Sequence, residues 1–200
     1  MIHIRSGRDS RSRRLARSLC IGAALTSSGC ATHSGPYSPQ SESARDTNKA
    51  QALTQKAAAI MDKDPVKAES LLRDALTADL YHGPAHNDLG VLLLKKSMLF
   101  EAAGEFEWAR KLMPGHPDPR MNLALTLERA GRVDEALTAY ASALEVYEGH
   151  MPTIEALTRL RIKSGRTDEK TRAMLEEIAF KGETPQWREW ARGQMAKTGP

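Results

Sequence analysis

A 34-residue period runs through most of this chain, and a repeat of that length limits the fold to stacked copies of one small unit. In residues 83–116 the recurring positions are Leu89, Gly90, Leu93, Ala102, Phe106, Ala109 and Pro114. Thirty-four residues further on stand Leu123, Ala124, Leu127, Ala136, Tyr140, Ala143 and Glu148, and all but the last keep their character. The copy before, Gln55, Lys56, Ala59, Ala68, Leu72, Ala75 and Leu80, agrees in its second half only. The copy after, Leu157, Thr158, Arg161, Lys170, Met174, Glu177 and Gly182, has decayed. Small residues at Gly90, Ala102 and Ala109 let two antiparallel helices approach closely, while Leu89, Leu93 and Phe106 fill the layer between them. Each hairpin leaves one apolar face uncovered, so it must stack on a neighbour. Gly131-Arg132 and Gly165-Arg166 suit the left-handed residue that ends a first helix, and Pro84, Pro119 and Pro152 suit helix starts. The expected fold is all-α, with hairpins at about 50–80, 84–113, 118–147 and 152–181.

Spacing and residue types resemble the tetratricopeptide (TPR) repeat, a helix-turn-helix unit of 34 residues. The family's Leu-Gly pair, its small residue on the second helix, the aromatic four places later and the terminal Pro all stand in 83–116. The Trp and Tyr that the family often places in the first helix are replaced here by His86 and Leu93. The resemblance implies a short TPR-type helical-hairpin solenoid of about four repeats, 49–82, 83–116, 117–150 and 151–184, with the outer two degenerate. Residues 185–200 then open with Pro185-Gln186-Trp187-Arg188-Glu189-Trp190-Ala191. Trp187 and Trp190, three apart, read as the buried stripe of a helix that caps the open end of the stack.

The N-terminus has a different character. Six arginines against Asp9 give residues 1–29 a net charge of +5 and leave the remainder at −1, so the +4 of the whole chain is a property of its first segment. Leu19-Cys20-Ile21-Gly22-Ala23-Ala24-Leu25 follows, then Ser27-Ser28-Gly29 before Cys30. Basic, apolar and small segments in that order make a secretory signal peptide, and the apolar part is less than half of the ~20 residues that a spanning helix needs. Ser28-Gly29-Cys30 resembles the lipobox of bacterial lipoproteins, in which the cysteine is diacylated and becomes the new N-terminus; Ser27 stands where that family usually has Leu. Cys30 is therefore the expected lipidation site. By the same resemblance, Ala31, where inner-membrane lipoproteins commonly have Asp, points to the outer membrane facing the periplasm. Cleavage after Ala31 is the alternative and would give a soluble periplasmic or secreted protein. Residues 30–48 are rich in Ser, Pro and Gly and read as a disordered, lipid-anchored flexible linker, whose last 18 residues would reach roughly 20–25 Å.

No nucleophile elbow, phosphate-cradling glycine loop, HExxH or paired-cysteine metal signature is present, and the expectation is a protein that is not an enzyme and uses no cofactor or metal. His82, His116 and His150 recur at the 34-residue period. Stacked helices lie about 8–10 Å apart, too far for three such imidazoles to share a zinc with ligands at about 2.0–2.1 Å. Local hydrogen bonding at helix starts is the better reading. A nucleic-acid partner would rest on residues 1–29 alone, and none is expected after their removal; no small-molecule substrate is expected either.

In the TPR family the concave groove is lined by first-helix residues. The resemblance implies Asn87, Asp88, Val91, Leu94 and Lys95 in the second repeat, Met121, Asn122, Leu125, Glu128 and Arg129 in the third, and Glu155, Arg159 and Lys163 in the fourth. Val91, Met121 and Leu125 would hold apolar side chains of a partner peptide, Asn87 and Asn122 would bond its backbone, and Lys95, Arg129, Arg159 and Lys163 would attract acidic groups. An alternative for Lys95, Arg129 and Lys163 is that each only complements the negative end of its own helix. The carboxylate clamp of some members needs Asn where this chain has Val91 or Leu125. The implied function is a protein-interaction scaffold that organises an envelope assembly such as a pilus or secretion apparatus. Arg120-Met121-Asn122-Leu123-Ala124-Leu125 with Ala130-Gly131-Arg132 resembles the tight-adherence pilus lipoproteins. An accessory or regulatory subunit of an envelope enzyme such as a peptidoglycan synthase is the alternative.

Overall fold

The computed structural model describes residues 45–198, and every regular element among them is a helix. The expected signal peptide (1–29), Cys30 and residues 30–44 of the expected linker lie outside the described residues. Four antiparallel hairpins follow one another: α1 (Thr47–Ile60) with α2 (Pro65–Ala78), α3 (Gly83–Lys95) with α4 (Leu99–Leu112), α5 (Asp118–Arg129) with α6 (Val133–Val146), and α7 (Met151–Lys163) with α8 (Glu169–Lys181). A single helix, α9 (Pro185–Thr198), packs on α8. No helix among the described residues is long and apolar enough to cross a membrane.

Helix boundaries follow from local chemistry. Asp46, Asp64 and Asp168 accept from the backbone N–H three residues on and cap α1, α2 and α8, and Pro65 opens α2 where a missing N–H costs nothing. The first helices of the second, third and fourth repeats end on a left-handed residue at one repeat position, Ser97 (φ 60°), Gly131 (76°) and Gly165 (74°). At each, two N–H groups fold back onto the helix: Ser97 and Met98 donate to the Leu94 and Leu93 carbonyls, and Gly131 and Arg132 to those of Glu128 and Leu127. That double bond pattern reverses the chain in three residues and sets the two helices antiparallel.

The core lies between the helices of each hairpin and continues from one repeat to the next. Phe106 and Tyr140 are fully buried at equivalent positions, and so are Ala102 and Ala136. Gly90 is required by its neighbour: a Cβ there would stand 2.6 Å from the Phe106 ring.

The outer repeats correct the register read from the sequence. In the first, the buried first-helix residues are Ala50, Thr54 and Ala57, with Leu53 packed against them. Leu53, Thr54 and Ala57 replace the expected Gln55, Lys56 and Ala59, because the chain holds two extra residues before α2. In the fourth, Thr171, Leu175 and Ile178 take the positions expected of Lys170, Met174 and Glu177, through one extra residue before α8, and Met174 is buried beside them. Residues 45–48, expected to end the linker, belong to the first repeat. The Asp46 N–H donates to the Ala78 carbonyl (2.9 Å), and Arg45 and Thr47 both bond Asp79 (2.8 Å each). Burial pushes the Asp79 carboxyl up, but these donors and the Tyr81 N–H outweigh it and hold the group below its ordinary range.

At the C-terminal end, Ala191 of α9 is fully buried, and Trp187 and Trp190 pack half-buried against the core. The two rings meet edge to face with centroids 5.1 Å apart, so their spacing serves packing.

Candidate functional site

First-helix residues of the second and third repeats form a face of half-buried apolar and amide side chains. Val91 of α3 and Leu125 of α5 occupy one repeat position, and with Met121 they are partly buried against the core. Asn87 and Asn122 are also half-buried. The Asn122 side-chain amide donates to Asn87 Oδ1 at 3.0 Å, and the Asn87 amide donates to Asp88 Oδ1 at 3.3 Å. Burial raises the Asp88 carboxyl above its usual range, against that hydrogen bond.

The cations of this face bridge successive repeats. Lys95 Nζ lies 2.7 Å from Asp62 Oδ1 in the preceding hairpin, and Lys95 holds the exposed Asp62 below its ordinary pKa. Arg129 Nη1, in the last turn of α5, donates to the Leu94 carbonyl (3.3 Å) at the end of α3, so it also complements the preceding first helix. Arg159 Nη2 reaches Glu128 at 3.1 Å, and the same carboxylate accepts from the Tyr140 hydroxyl at 3.2 Å. Burial and the Glu128 charge raise the Tyr140 hydroxyl pKa, so it stays a donor. An acidic ligand would have to displace or share these partners.

Two residues expected in the groove are interior. Leu94 is buried in the core. Glu155, equivalent to Asn87 and Met121, is only 3% exposed, and its Oε1 accepts from the Glu183 N–H at 3.0 Å. The turn between α8 and α9 closes over it. The half-buried apolar and amide face is thus supplied by α3 and α5, while α7 contributes Arg159.

The three periodic histidines differ from one another. His150 Nδ1 pairs with the Thr153 hydroxyl at 2.7 Å, and its Nε2 lies 3.3 Å from Asp118, tying the third and fourth repeats. His116 is exposed and accepts weakly from the Asp118 N–H at 3.4 Å. His82 is buried, and its Nε2 has no partner among the described residues; burial lowers its pKa first, and Asp79 opposes that shift. No group of three metal-ligating side chains occurs among the described residues.

A second surface was missed in the sequence. Phe100 and Trp108, eight apart on α4, are 90% and 39% exposed, and with Gly104 between them they wall a groove of about 510 Å³ over Leu123 and Leu127. Its signal was present, since positions 100, 104 and 108 share a helix face turned away from the core positions 102, 106 and 109.

No protein-family model and no curated protein matches the chain. Solved structures do. The first TPR of Spaghetti (RPAP3), bound to an HSP90 peptide, is 15% identical with a TM-score of 0.57, covering 61% of this chain and 98% of that one. YrrB, described as a TPR protein with an unusual peptide-binding site, is 21% identical with a TM-score of 0.58, covering 74% of this chain and 76% of that one. A Thermobaculum terrenum O-GlcNAc transferase mutant is 23% identical with a TM-score of 0.62, but the match covers 68% of this chain and only 26% of that protein. Hairpin geometry, the recurring small residues and these likenesses together make the fold of residues 45–198 that of a tetratricopeptide-repeat solenoid.

Proposed function

We propose that this chain is a non-catalytic protein-interaction scaffold that holds a polypeptide partner along the first helices of its second and third repeats. The observation that carries the reading is the α3–α5 face. There, half-buried Val91, Met121 and Leu125 stand beside the linked amides of Asn87 and Asn122. Apolar side chains of a partner gain by covering the first three, and the amide oxygen of Asn122 is left to accept from its backbone. RPAP3, with the same fold, has been seen with a peptide bound, which supports this use of the architecture.

The order of basic, apolar and small segments before Cys30 supports a scaffold of the bacterial envelope, tethered through a diacylated Cys30 to the outer membrane and facing the periplasm. There it organises an assembly such as a pilus or secretion apparatus. Two measurements test the two halves. Intact mass and N-terminal peptide of the protein from its native membrane fraction should show a diacylglyceryl group on Cys30; an N-terminus at Thr32 would make it soluble, and an intact Met1 would overturn export. Asn87→Ala with Asn122→Ala should weaken partner capture at least tenfold with helical content unchanged, whereas undiminished capture would move the site off this face.

A further inference from the structure

We propose that the groove along α4 is a second docking site, independent of the first-helix face, which takes a cationic aliphatic segment such as an amphipathic helix bearing arginine or lysine. Phe100 is 90% exposed in the first turn of α4, and Trp108 lies two turns further along the same face. Together with Ala103, Leu123 and Leu127 in the same groove they make a contiguous apolar surface, the kind that marks a contact site. Gly104 lies between them, and a Cβ there would meet nothing within 4 Å. Neither packing nor a left-handed backbone demands this glycine, and in mid-helix it costs stability relative to alanine. What its missing side chain does is leave the groove floor open above Leu123 and Leu127.

The Trp108 wall is set in advance. Its indole stacks on the His86 imidazole with centroids 5.6 Å apart and planes 12° from parallel. His86 is fully buried and held between the Leu80 carbonyl (2.8 Å) and Glu105 (2.6 Å). A ring held in this way loses little freedom on binding.

Charge selects the occupant. Glu101, Glu105, Glu107 and Glu135 border the groove with Arg132 as the one lining cation. Arg132 pairs with Glu135 at 2.5 Å, Glu107 with Arg110 at 2.6 Å and Glu105 with His86 at 2.6 Å, so Glu101 is the lining carboxylate with no ion pair among the described residues. The net negative lining disfavours acidic ligands, and Glu101 is left to pair with a guanidinium or ammonium that can also lie over the exposed Phe100 ring, as Lys111 Nζ lies over the Trp108 ring at 6.0 Å from its centroid. Leu123 and Leu127 also line an adjoining groove of about 390 Å³ that runs on toward α6, so the surface accepts more than one side chain.

The test uses the full chain and a fluorescein-labelled 15-residue helical peptide of leucine, alanine and arginine, with a matched peptide carrying glutamate for arginine. Fluorescence anisotropy should show binding of the arginine peptide at least tenfold tighter than of its counterpart. Gly104→Leu, which plugs the groove with a better helix former, should weaken binding tenfold or more while the melting temperature holds or rises. Phe100→Ser should weaken it similarly, and Asn87→Ala with Asn122→Ala should leave it within twofold. Undiminished binding to Gly104→Leu, or equal binding of the glutamate peptide, would overturn the proposal. So would self-association of the wild type in sedimentation that Phe100→Ser abolishes, since the occupant would then be a second copy.

Discussion

Asn122 donates its side-chain amide to the Asn87 carbonyl oxygen across 3.0 Å, joining the first helices of adjacent repeats on the face proposed to hold the partner. The same groups thus serve solenoid cohesion and, through their remaining valences, ligand recognition. Asn87→Ala and Asn122→Ala should each cost about 1 kcal/mol of stability, the usual net worth of one hydrogen bond. Because both remove the same bond, the double variant should cost little more than either single one. Urea unfolding of the four proteins in a double-mutant cycle checks this; strictly additive losses would mean that the bond contributes nothing.

Gly90 is held to glycine by Phe106. Alanine would gain helix propensity, but its Cβ would stand 2.6–2.9 Å from three carbons of a fully buried ring. Gly90→Ala should destabilise by about 1–3 kcal/mol, the range for overpacked cores, and Phe106→Leu added to it should recover part of the loss. Ala102→Leu, at another fully buried contact, should lose stability in the same range. Thermal and urea melts read both.

Ser97 carries the left-handed turn that glycine carries in the next two repeats, at a φ of 60°. A side chain in that conformation costs roughly 1–2 kcal/mol, offset in part by the greater freedom glycine loses on folding. Ser97→Gly should therefore stabilise the protein by about 0.5–1 kcal/mol. A melting temperature that falls would show that Ser97 makes a compensating contact.

Glu155 gives a pH signature. Burial pushes its carboxyl above the ordinary range, against the Glu183 N–H that lowers it. A raised folded-state pKa means that the folded protein binds the proton more tightly than the unfolded chain. The ionised group therefore destabilises at neutral pH, and stability is regained as pH falls through the raised value. Glu155→Gln keeps an acceptor for Glu183 without the charge. It should melt higher than wild type at pH 7, and the difference should shrink on acidification and vanish below about pH 4, where unfolded glutamate is also protonated. A difference independent of pH would contradict this.

The central repeats were legible because they keep one register, so Leu89 and Leu123, or Phe106 and Tyr140, fall 34 residues apart. The outer two were obscured by extra residues in their turns. Once these are allowed for, Thr54, Gly90, Ala124 and Thr158 occupy one position, all small and all buried. Thr54 and Thr158 are tolerated there because their hydroxyls donate to the Ala50 and Ile154 carbonyls. On the first-helix face, residue types were legible but partners were not. Nothing local to Arg129 indicates that it reaches the Leu94 carbonyl, and the turn that covers Glu155 lies 28 residues further along. Phe100 and Trp108 lie outside the 34-residue pattern, which marks core positions, whereas these two side chains face outward.

The most direct test of the scaffold reading is site-specific photo-crosslinking in the native host, with a benzoylphenylalanine placed in turn at Val91, Leu125 and the exposed Lys56. A discrete protein adduct from Val91 and Leu125, absent from Lys56 and lost when Asn122→Ala is added, is the expected result. Adducts that are equal from all three positions, or absent from Val91 and Leu125, would contradict a partner held along α3 and α5.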